Sequence, residues 1–187
     1  MGDDKLLAEL IEDIYSASLT TDDPTPLLAR VGQCMGYEVV GLVTARSRYA
    51  ETDCNAVWGL DLQECQRVER EHNVSLSVIT RGGHVLQSGE FAFREELVSD
   101  EDFRKLPFYH EFVVPNRTQH GMKICLENSP DRLIFANLAR PLAGADVYRQ
   151  RELAQRLAPH WTRAARIFRK LQQVDVLRRA YSDVMNM

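Results

Sequence analysis

Two runs of apolar and β-branched residues, separated by a short turn-forming stretch, constrain the fold of this chain more than any other feature. The runs are residues 120–126 and 133–139, and the stretch between them contains Asn128, Ser129, Pro130 and Asp131. These residue types favour tight turns, and two strands joined by a tight turn pair antiparallel. The sequence therefore predicts a β-hairpin and excludes a sheet built only from parallel strands.

Further elements are predicted ahead of residue 73. Apolar residues at helical spacing in residues 6–15 predict a first helix, and a second helix over residues 27–35 should end at Gly36. Residues 37–44 and 55–58 are short apolar runs next to glycine, which indicates neighbouring antiparallel strands. Asp61 is suited to cap an amphipathic helix that ends near residue 72.

The segment between residues 74 and 98 fits more than one structure. A helix could continue through residues 78–79, and the Gly82-Gly83 pair would then end it. Residues 91–93 suit either a short edge strand or a loop. The sequence leaves these alternatives open.

The C-terminal part of the chain has a helical pattern. Apolar residues recur at helical spacing from about residue 146 almost to the end, and Pro159 is the only interior residue that disfavours a helix. We expect a kink one turn before Pro159, or two separate helices. The order of all these elements predicts an α+β fold, an antiparallel sheet flanked by helices with a long C-terminal helix.

Composition limits the class of protein. The 187 residues fit one domain, or a domain with an extension, and the shares of 44% hydrophobic and 27% charged residues are close to soluble globular averages. No apolar run approaches the roughly 20 residues that span a bilayer. The acidic N-terminus lacks the pattern of a secretory signal. We therefore predict a cytoplasmic protein without membrane contact.

No cofactor, metal site or catalytic site is predicted. The four cysteines, at positions 34, 54, 65 and 125, form no C-x-x-C pair and do not cluster with histidines. We expect reduced and mostly buried thiols. The net charge of −4 argues against a nucleic-acid-binding surface over the whole protein. Because no nucleophile beside a base and no recognisable carboxylate pair occurs, we do not expect an enzyme.

An aromatic segment, residues 100–115, is the best candidate for a binding site. Its acidic start predicts a short helix, and its rings could form the wall of an apolar cavity or could only close the core. Phe108 and Phe112 would share one helix face, so Tyr109 is the better pocket candidate. The competing interpretations are a core position for Trp58 and a solvent-facing one for His120. The predicted ligand-binding residues are Trp58, Phe108, Tyr109, Phe112, His120, Met122 and Phe135.

The order of several short motifs resembles a known family. The motifs are Trp58-Gly59-Leu60, the acidic residues 99–102 ahead of Phe108-Tyr109-His110-Glu111-Phe112, then Pro115, His120-Gly121 and Leu157-Ala158-Pro159-His160. This order resembles the GAF/PAS-like sensory domain at the N-terminus of bacterial LuxR-type helix-turn-helix transcription regulators, and the likeness covers residues 6–171. The resemblance implies a GAF/PAS-like sandwich and a sensory role in transcription regulation.

The chain departs from this family in two ways. The residues after Leu177 leave no room for a DNA-binding helix-turn-helix domain, so we expect either a fragment or a stand-alone sensory protein. Acyl-homoserine-lactone receptors of the wider group hold the lactone with Trp, Tyr and an Asp-Pro step, and residues 60–82 contain none of these. We therefore expect a ligand other than a lactone, and DNA contact only through a C-terminal domain absent from this chain.

The apolar spacing of the C-terminal helix resembles a coiled-coil seam, with steps that alternate between four and three residues. The competing interpretation is that residues 157–168 face the sheet and only the part beyond Leu171 projects. We favour a homodimer through this helix. The predicted dimer interface consists of Trp161, Ala164, Phe168, Leu171, Val174, Leu177 and Tyr181.

These observations predict a sensory domain over residues 1–158 and a dimerisation and signalling helix over residues 159–187. The predicted function is that of a regulatory domain that binds a small apolar or aromatic metabolite and signals through the dimeric helix. The alternative is an interaction module without a ligand, whose own side chains fill the cavity. An open, partly polar cavity beneath residues 103–112 favours sensing, and a filled interior favours docking.

Overall fold

The computed structural model describes residues 2–20, 23–45, 52–81 and 86–185. The strands are β1 Tyr37–Ala45, β2 Thr52–Trp58, β3 Phe91–Phe93, β4 Gly121–Ser129 and β5 Arg132–Pro141. The helices are α1 Gly2–Ala17, α2 Thr25–Met35, α3 Leu62–His72, α4 Val74–Arg81, α5 Arg94–Leu97, α6 Asp100–Arg104 and α7 Val147–Met185. A π-helical turn, Tyr109–Val113, lies between α6 and β4. One antiparallel sheet with the order β2-β1-β5-β4-β3 confirms the predicted α+β fold.

The predicted hairpin is confirmed as β4–β5, and it is longer than the sequence indicated. The strands extend to Ser129 and start again at Arg132, so only Pro130 and Asp131 form the turn. Ser129 Oγ stabilises this end of the hairpin by donating to Arg132 O at 3.1 Å. The predicted antiparallel pairing of β1 with β2 is also confirmed.

Short local signals set the ends of the helices before the site. Gly36 ends α2 in the left-handed region at φ 75°, where glycine has no steric penalty. Asp61 caps α3 as predicted, since its side chain accepts a hydrogen bond from the Glu64 backbone N–H at 2.8 Å. At the start of α2, Asp23 accepts from the Thr25 backbone N–H at 2.9 Å.

The structure decides most of the alternatives that the sequence left open for residues 74–98. Residues 74–81 form α4, and residues 91–93 form the edge strand β3, which pairs with β4. The predicted break at Gly82-Gly83 lies outside the described residues. None of the helices in the described ranges has the length and apolar character that a bilayer crossing requires.

Helices cover both faces of the sheet, so each central strand is buried on both sides. On one face, α1, α2 and α7 enclose the larger core, which contains Leu10, Met35, Ile124, Leu138 and Leu157. On the other face, α3 to α6 and the π-helical turn cover a second core around Phe108 and Phe135. The strand alternation therefore sends successive residues of β4 and β5 into two different cores.

The C-terminal helix α7 is one continuous helix of 39 residues, so the alternative of two separate helices is wrong. Pro159 is exposed, whereas its neighbours Leu157, Ala158 and Trp161 are buried in the larger core. Their packing offsets the backbone hydrogen bond that proline cannot donate. The predicted boundary between residues 158 and 159 lies inside this helix, and the division into two domains stays a prediction.

Candidate functional site

A cavity of about 140 Å³ lies between the sheet and the helices of the second core. Valine side chains from β1, β2, α3 and α4 make up much of its wall, together with Phe103, Phe108 and Phe112. Polar side chains also line it, and they are Glu69, Ser75, Arg94, Thr118, Lys123 and Asn137. The aromatic segment therefore covers an open and partly polar cavity, which is the arrangement that favours sensing.

The aromatic wall is built from two short helical pieces. Ser99 caps α6 by accepting from the Asp102 backbone N–H at 3.1 Å. The chain then turns at Leu106, and the following residues form a π-helical turn in which Val114 N–H donates to Tyr109 O at 3.0 Å. Phe103 and Phe108 meet edge to face with ring centroids 6.4 Å apart. The short helix predicted from the acidic start is α6, and the aromatic residues after it form a wider, π-helical turn from which Phe108 and Phe112 line the cavity.

Arg94 holds this wall in place from beneath. Its guanidinium lies 4.8 Å from the centre of the Phe103 ring and donates through Nε to Gln119 O at 3.0 Å. It also pairs with Asp100 at 2.6 Å and with Glu95 at 3.1 Å, although its side chain is only 9% exposed. Hydrogen bonding to Arg94 lowers the pKa of Asp100. The positive charge of Arg94 is therefore already compensated.

An ion-pair cluster on the surface joins the wall to α3. Arg67 Nη1 contacts Glu111 at 2.6 Å and Glu71 at 2.6 Å, and His72 Nε2 lies 3.4 Å from Glu111. The hydrogen bond from Arg67 lowers the pKa of Glu111. These contacts fasten the π-helical turn to the helix on the opposite side of the cavity.

The same cluster brings possible metal ligands together. One ligand atom from each of Glu71, His72 and Glu111 lies within 4.8 Å of the others. The Arg67 guanidinium, however, already binds both carboxylates. The arrangement is that of an arginine-centred ion-pair network, and it adds nothing to the chemistry of the cavity.

Inside the cavity, the carboxylate of Glu69 is held by three donors although the residue is only 6% exposed. Ser75 Oγ donates to Oε1 at 2.5 Å, while Thr52 Oγ1 and the Ser75 backbone N–H donate to Oε2 at 2.6 and 3.1 Å. Three donors satisfy much of the hydrogen-bonding capacity of a buried carboxylate. Glu69 lies at one end of a polar chain.

Lys123 forms the other end of this chain. Its Nζ donates to Asn137 Oδ1 at 2.6 Å, and Asn137 Nδ2 donates to Ser75 Oγ at 2.8 Å. Burial lowers the pKa of Lys123 from 10.5 to about 8, against the opposite effect of the Glu69 charge. The ammonium form still predominates at neutral pH. Two neutral side chains therefore separate a buried cation from a buried anion.

The four cysteines are buried and free, as predicted. Cys54 and Cys65 both line the cavity. A hydrogen bond with Cys65, together with burial, raises the pKa of Cys54, and burial also raises the pKa of Cys125 to about 12. Thiols that stay protonated at neutral pH are poor nucleophiles.

The structure brings three of the predicted ligand-binding residues to the cavity, namely Phe108, Phe112 and Met122. Trp58 packs instead over Gly32 at the edge of the larger core. Tyr109 contacts the rings of Phe103 and His110 and is not among the residues that line the cavity. His120 is 66% exposed and pairs with Glu95. Phe135 is buried in the second core with its ring centre 5.8 Å from Lys123 Nζ.

The predicted dimer-interface residues divide into two groups along α7. Trp161 and Ala164 are 4% and 2% exposed and pack in the larger core, as in the competing interpretation of the helix. Phe168 lines a groove beside α1, whereas Leu171 and Val174 are 41% and 59% exposed. The side chains of Leu177 and Tyr181 lie outside what the structure describes. Of the predicted interface residues whose side chains are described, the exposed ones are therefore Leu171 and Val174.

Sequence reasoning missed the polar residues of the cavity. Lys123 and Asn137 face each other across β4 and β5, and a polar residue in a strand is ordinarily assigned to the solvent side. The available signal was that helices were predicted both before and after the hairpin. A sheet covered on both faces leaves no solvent side for these two residues.

Comparisons with known proteins identify the fold. No protein-family model and no curated protein matches this chain. Among solved structures, the chain is similar to the crystal structure of the VqsR LBD domain from Pseudomonas aeruginosa, with a TM-score of 0.59 and 13% sequence identity. The match covers 88% of this chain and 94% of that chain. The likeness shows a shared fold over nearly the whole length of both chains.

Proposed function

We propose that this chain is a sensory domain of a LuxR-type transcription regulator, of the GAF/PAS-like kind, and that it binds a small molecule in the cavity beneath the aromatic wall. The observation that carries the proposal is the chain of buried polar groups from Glu69 to Lys123 inside an otherwise apolar cavity. Small-molecule sites combine an apolar wall with a few polar groups that orient the ligand.

The shared fold supports a regulatory role. The VqsR domain is by its name a ligand-binding domain, and its fold covers 88% of this chain. The motif order of the sequence supports the same class of protein. The fold match and the motif order are separate arguments. At 13% sequence identity, the fold match does not rest on a few shared motifs.

Signal transfer would run through β4 and β5, which have the cavity on one face and α7 on the other. Lys123 and Asn137 reach the cavity, while the intervening Ile124, Leu126 and Leu138 belong to the core that also contains Leu157 and Trp161 of α7. A ligand that prefers one position of these strands would bias the position of α7. The helix would pass that bias to an output domain.

The remaining parts of the proposal concern partners and chemistry. The domain acts as a homodimer through the exposed part of α7, in the cytoplasm, and DNA contact belongs to a separate C-terminal domain. It is not an enzyme, since the polar groups of the cavity bind one another and the thiols stay protonated. No cofactor takes part.

A docking module is the second candidate, and one surface favours it. A groove of about 400 Å³ lies where α1, α2 and α7 meet the sheet, and Leu27, Leu42, Ile134 and Phe168 line it. A partner helix or strand could bury these apolar side chains without any ligand in the cavity.

Native mass spectrometry of the protein purified from its own host tests the proposal, because it reports bound small molecules and subunit number together. We expect a dimer that carries one small molecule per chain. A matched variant, Val78→Phe, places a larger side chain on α4 at the cavity wall, where Val78 is only 5% exposed. It should purify folded and without the small molecule.

A surface substitution, Val147→Phe, is the control, since Val147 is 54% exposed. This variant should keep the small molecule. If the wild-type protein carries no small molecule and gains no thermal stability from extracts of its host, sensing is contradicted and the docking module becomes the better explanation.

A further inference from the structure

The buried cation of the cavity, Lys123, has fewer hydrogen-bond acceptors around it than donors to satisfy. Lys123 is 9% exposed, and its ammonium group has three N–H donors. Among the residues that the structure describes, Asn137 Oδ1 is its only hydrogen-bond acceptor, and the Phe135 ring lies 5.8 Å away. A buried ammonium with donors to spare is energetically unfavourable unless another group accepts them.

The other charged groups at the cavity do not need a ligand in this way. Glu69 already accepts three hydrogen bonds. Arg94 contacts two carboxylates and two backbone carbonyls. Lys123 is therefore the one charged group of the described cavity wall whose capacity for hydrogen bonds is largely unused. A ligand that supplies a hydrogen-bond acceptor would satisfy it, and an anionic acceptor would do so best.

The size of the cavity limits what that anion can be. At about 140 Å³, it is close to the ~150 Å³ of an engineered apolar cavity that binds benzene. The rest of the wall consists largely of valine, leucine and phenylalanine side chains. The body of the ligand must therefore be apolar and no larger than about one six-membered ring.

We propose that the cavity takes a small carboxylate with a flat apolar body, whose carboxylate accepts hydrogen bonds from Lys123 Nζ while the body packs against the aromatic wall. This inference rests on the proposed function and specifies its ligand class. The competing explanation is that Lys123 is a core lysine sufficiently stabilised by Asn137 and the Phe135 ring, with water in the remaining space.

Titration calorimetry with three aromatic probes of similar size separates these explanations. The probes are benzoate, its neutral analogue benzamide, and benzylamine as a cation. At pH 7 we expect saturable binding of benzoate, at least about tenfold tighter than that of benzamide, which is a difference of about 1.4 kcal/mol, and no binding of benzylamine. Raising the pH above 8 should weaken benzoate binding as Lys123 loses its proton.

Two variants assign the effect to the side chain. Lys123→Met keeps the length of the apolar stem and removes the charge, so it should bind benzoate no better than benzamide. Lys170→Met is the matched control, because Lys170 is exposed on α7, outside the residues that line the cavity, and it should bind like the wild type. Circular dichroism and a cooperative thermal transition establish that Lys123→Met is folded.

The outcomes distinguish this inference from the function beneath it. Equal binding of benzoate and benzamide, benzoate binding that survives in Lys123→Met, or no binding of benzoate at all would overturn the carboxylate class. If the host-purified protein nevertheless carries a small neutral molecule, the carboxylate class is wrong and the sensory function still stands. If the host-purified protein carries no small molecule and Val78→Phe behaves like the wild type, both the carboxylate class and the sensory function are contradicted.

Discussion

Lys123 and Asn137 lie directly opposite each other in the antiparallel pair β4–β5, and a hydrogen bond of 2.6 Å joins Lys123 Nζ to Asn137 Oδ1. Because the two residues are paired across the strands, their polar side chains lie side by side in the wall of the cavity. Other residues of the same two strands pack in the core that contains Leu157 and Trp161 of α7, so a ligand proposed to bind at this pair would contact strands that also pack on the C-terminal helix.

The buried charge of Lys123 predicts a specific dependence of stability on pH. Its pKa falls from 10.5 in the unfolded chain to about 8 in the folded protein, so between these values the unfolded chain binds more protons. Stability relative to Lys123→Met should be level below pH 8 and should rise by about 3 kcal/mol towards pH 10. Urea unfolding of both proteins at several pH values measures this.

The comparison with the variant removes the effect of other groups. Burial raises the pKa of Tyr37 above its ordinary value, which opposes stability at high pH, but it does so equally in both proteins. A difference between the two proteins that stays constant from pH 7 to pH 10 would contradict a buried Lys123.

Gly59, in the Trp58-Gly59-Leu60 motif, should tolerate no side chain. Its φ is +90°, and a Cβ there would lie 2.0 Å from Glu38 O. Gly144 has a similar φ of +76° but nothing within 4 Å of its Cβ position. Thermal unfolding should show a loss of about 1–2 kcal/mol for Gly144→Ala from backbone strain alone. Gly59→Ala should lose at least about 3 kcal/mol because a backbone clash is added; equal losses would contradict the close approach.

The ion pairs of Glu111 should control the opening of the aromatic wall. Glu111→Gln removes the charge that Arg67 and His72 contact across the cavity. Because these groups are exposed, we expect little change in global stability and faster amide hydrogen exchange in residues 108–118, measured by mass spectrometry. Glu101→Gln, which breaks a pair within α6 only, is the control and should leave this exchange unchanged.

The proposed homodimer should depend on the exposed part of α7. Val174→Asp places a charge where an apolar side chain is 59% exposed, and the dissociation constant in sedimentation velocity should rise at least about tenfold. Gln173→Asp adds the same charge at a neighbouring exposed position and should have a smaller effect. A Val174→Asp protein that sediments like the wild type would place the interface elsewhere.

The fold could be predicted because its elements carry local signals. The hairpin and the caps at Gly36 and Asp61 follow from residues within a few positions, whereas residues 91–93 suited a loop as well as the edge strand that they form. The site could be predicted only in part. Phe108 and Phe112 were recognised from their own segment, whereas the roles of Glu69 and Lys123 depend on which helix covers which strand. Tyr109 lies in a π-helical turn, which nothing in its sequence distinguishes from an α-helical one, and its role in ligand binding stays a prediction.

The continuity of α7 has a mechanical consequence. Arg169 of this helix pairs with Glu127 of the hairpin, and the helix continues to Met185, a further 16 residues or about 24 Å. A rigid helix that is anchored in the core acts as a lever arm. A tilt of a few degrees, which is too small to disturb the packing around Trp161, would displace the far end of the helix by about 2 Å. The length of the helix beyond Arg169 is enough to turn a small tilt into this displacement, and no hinge is required.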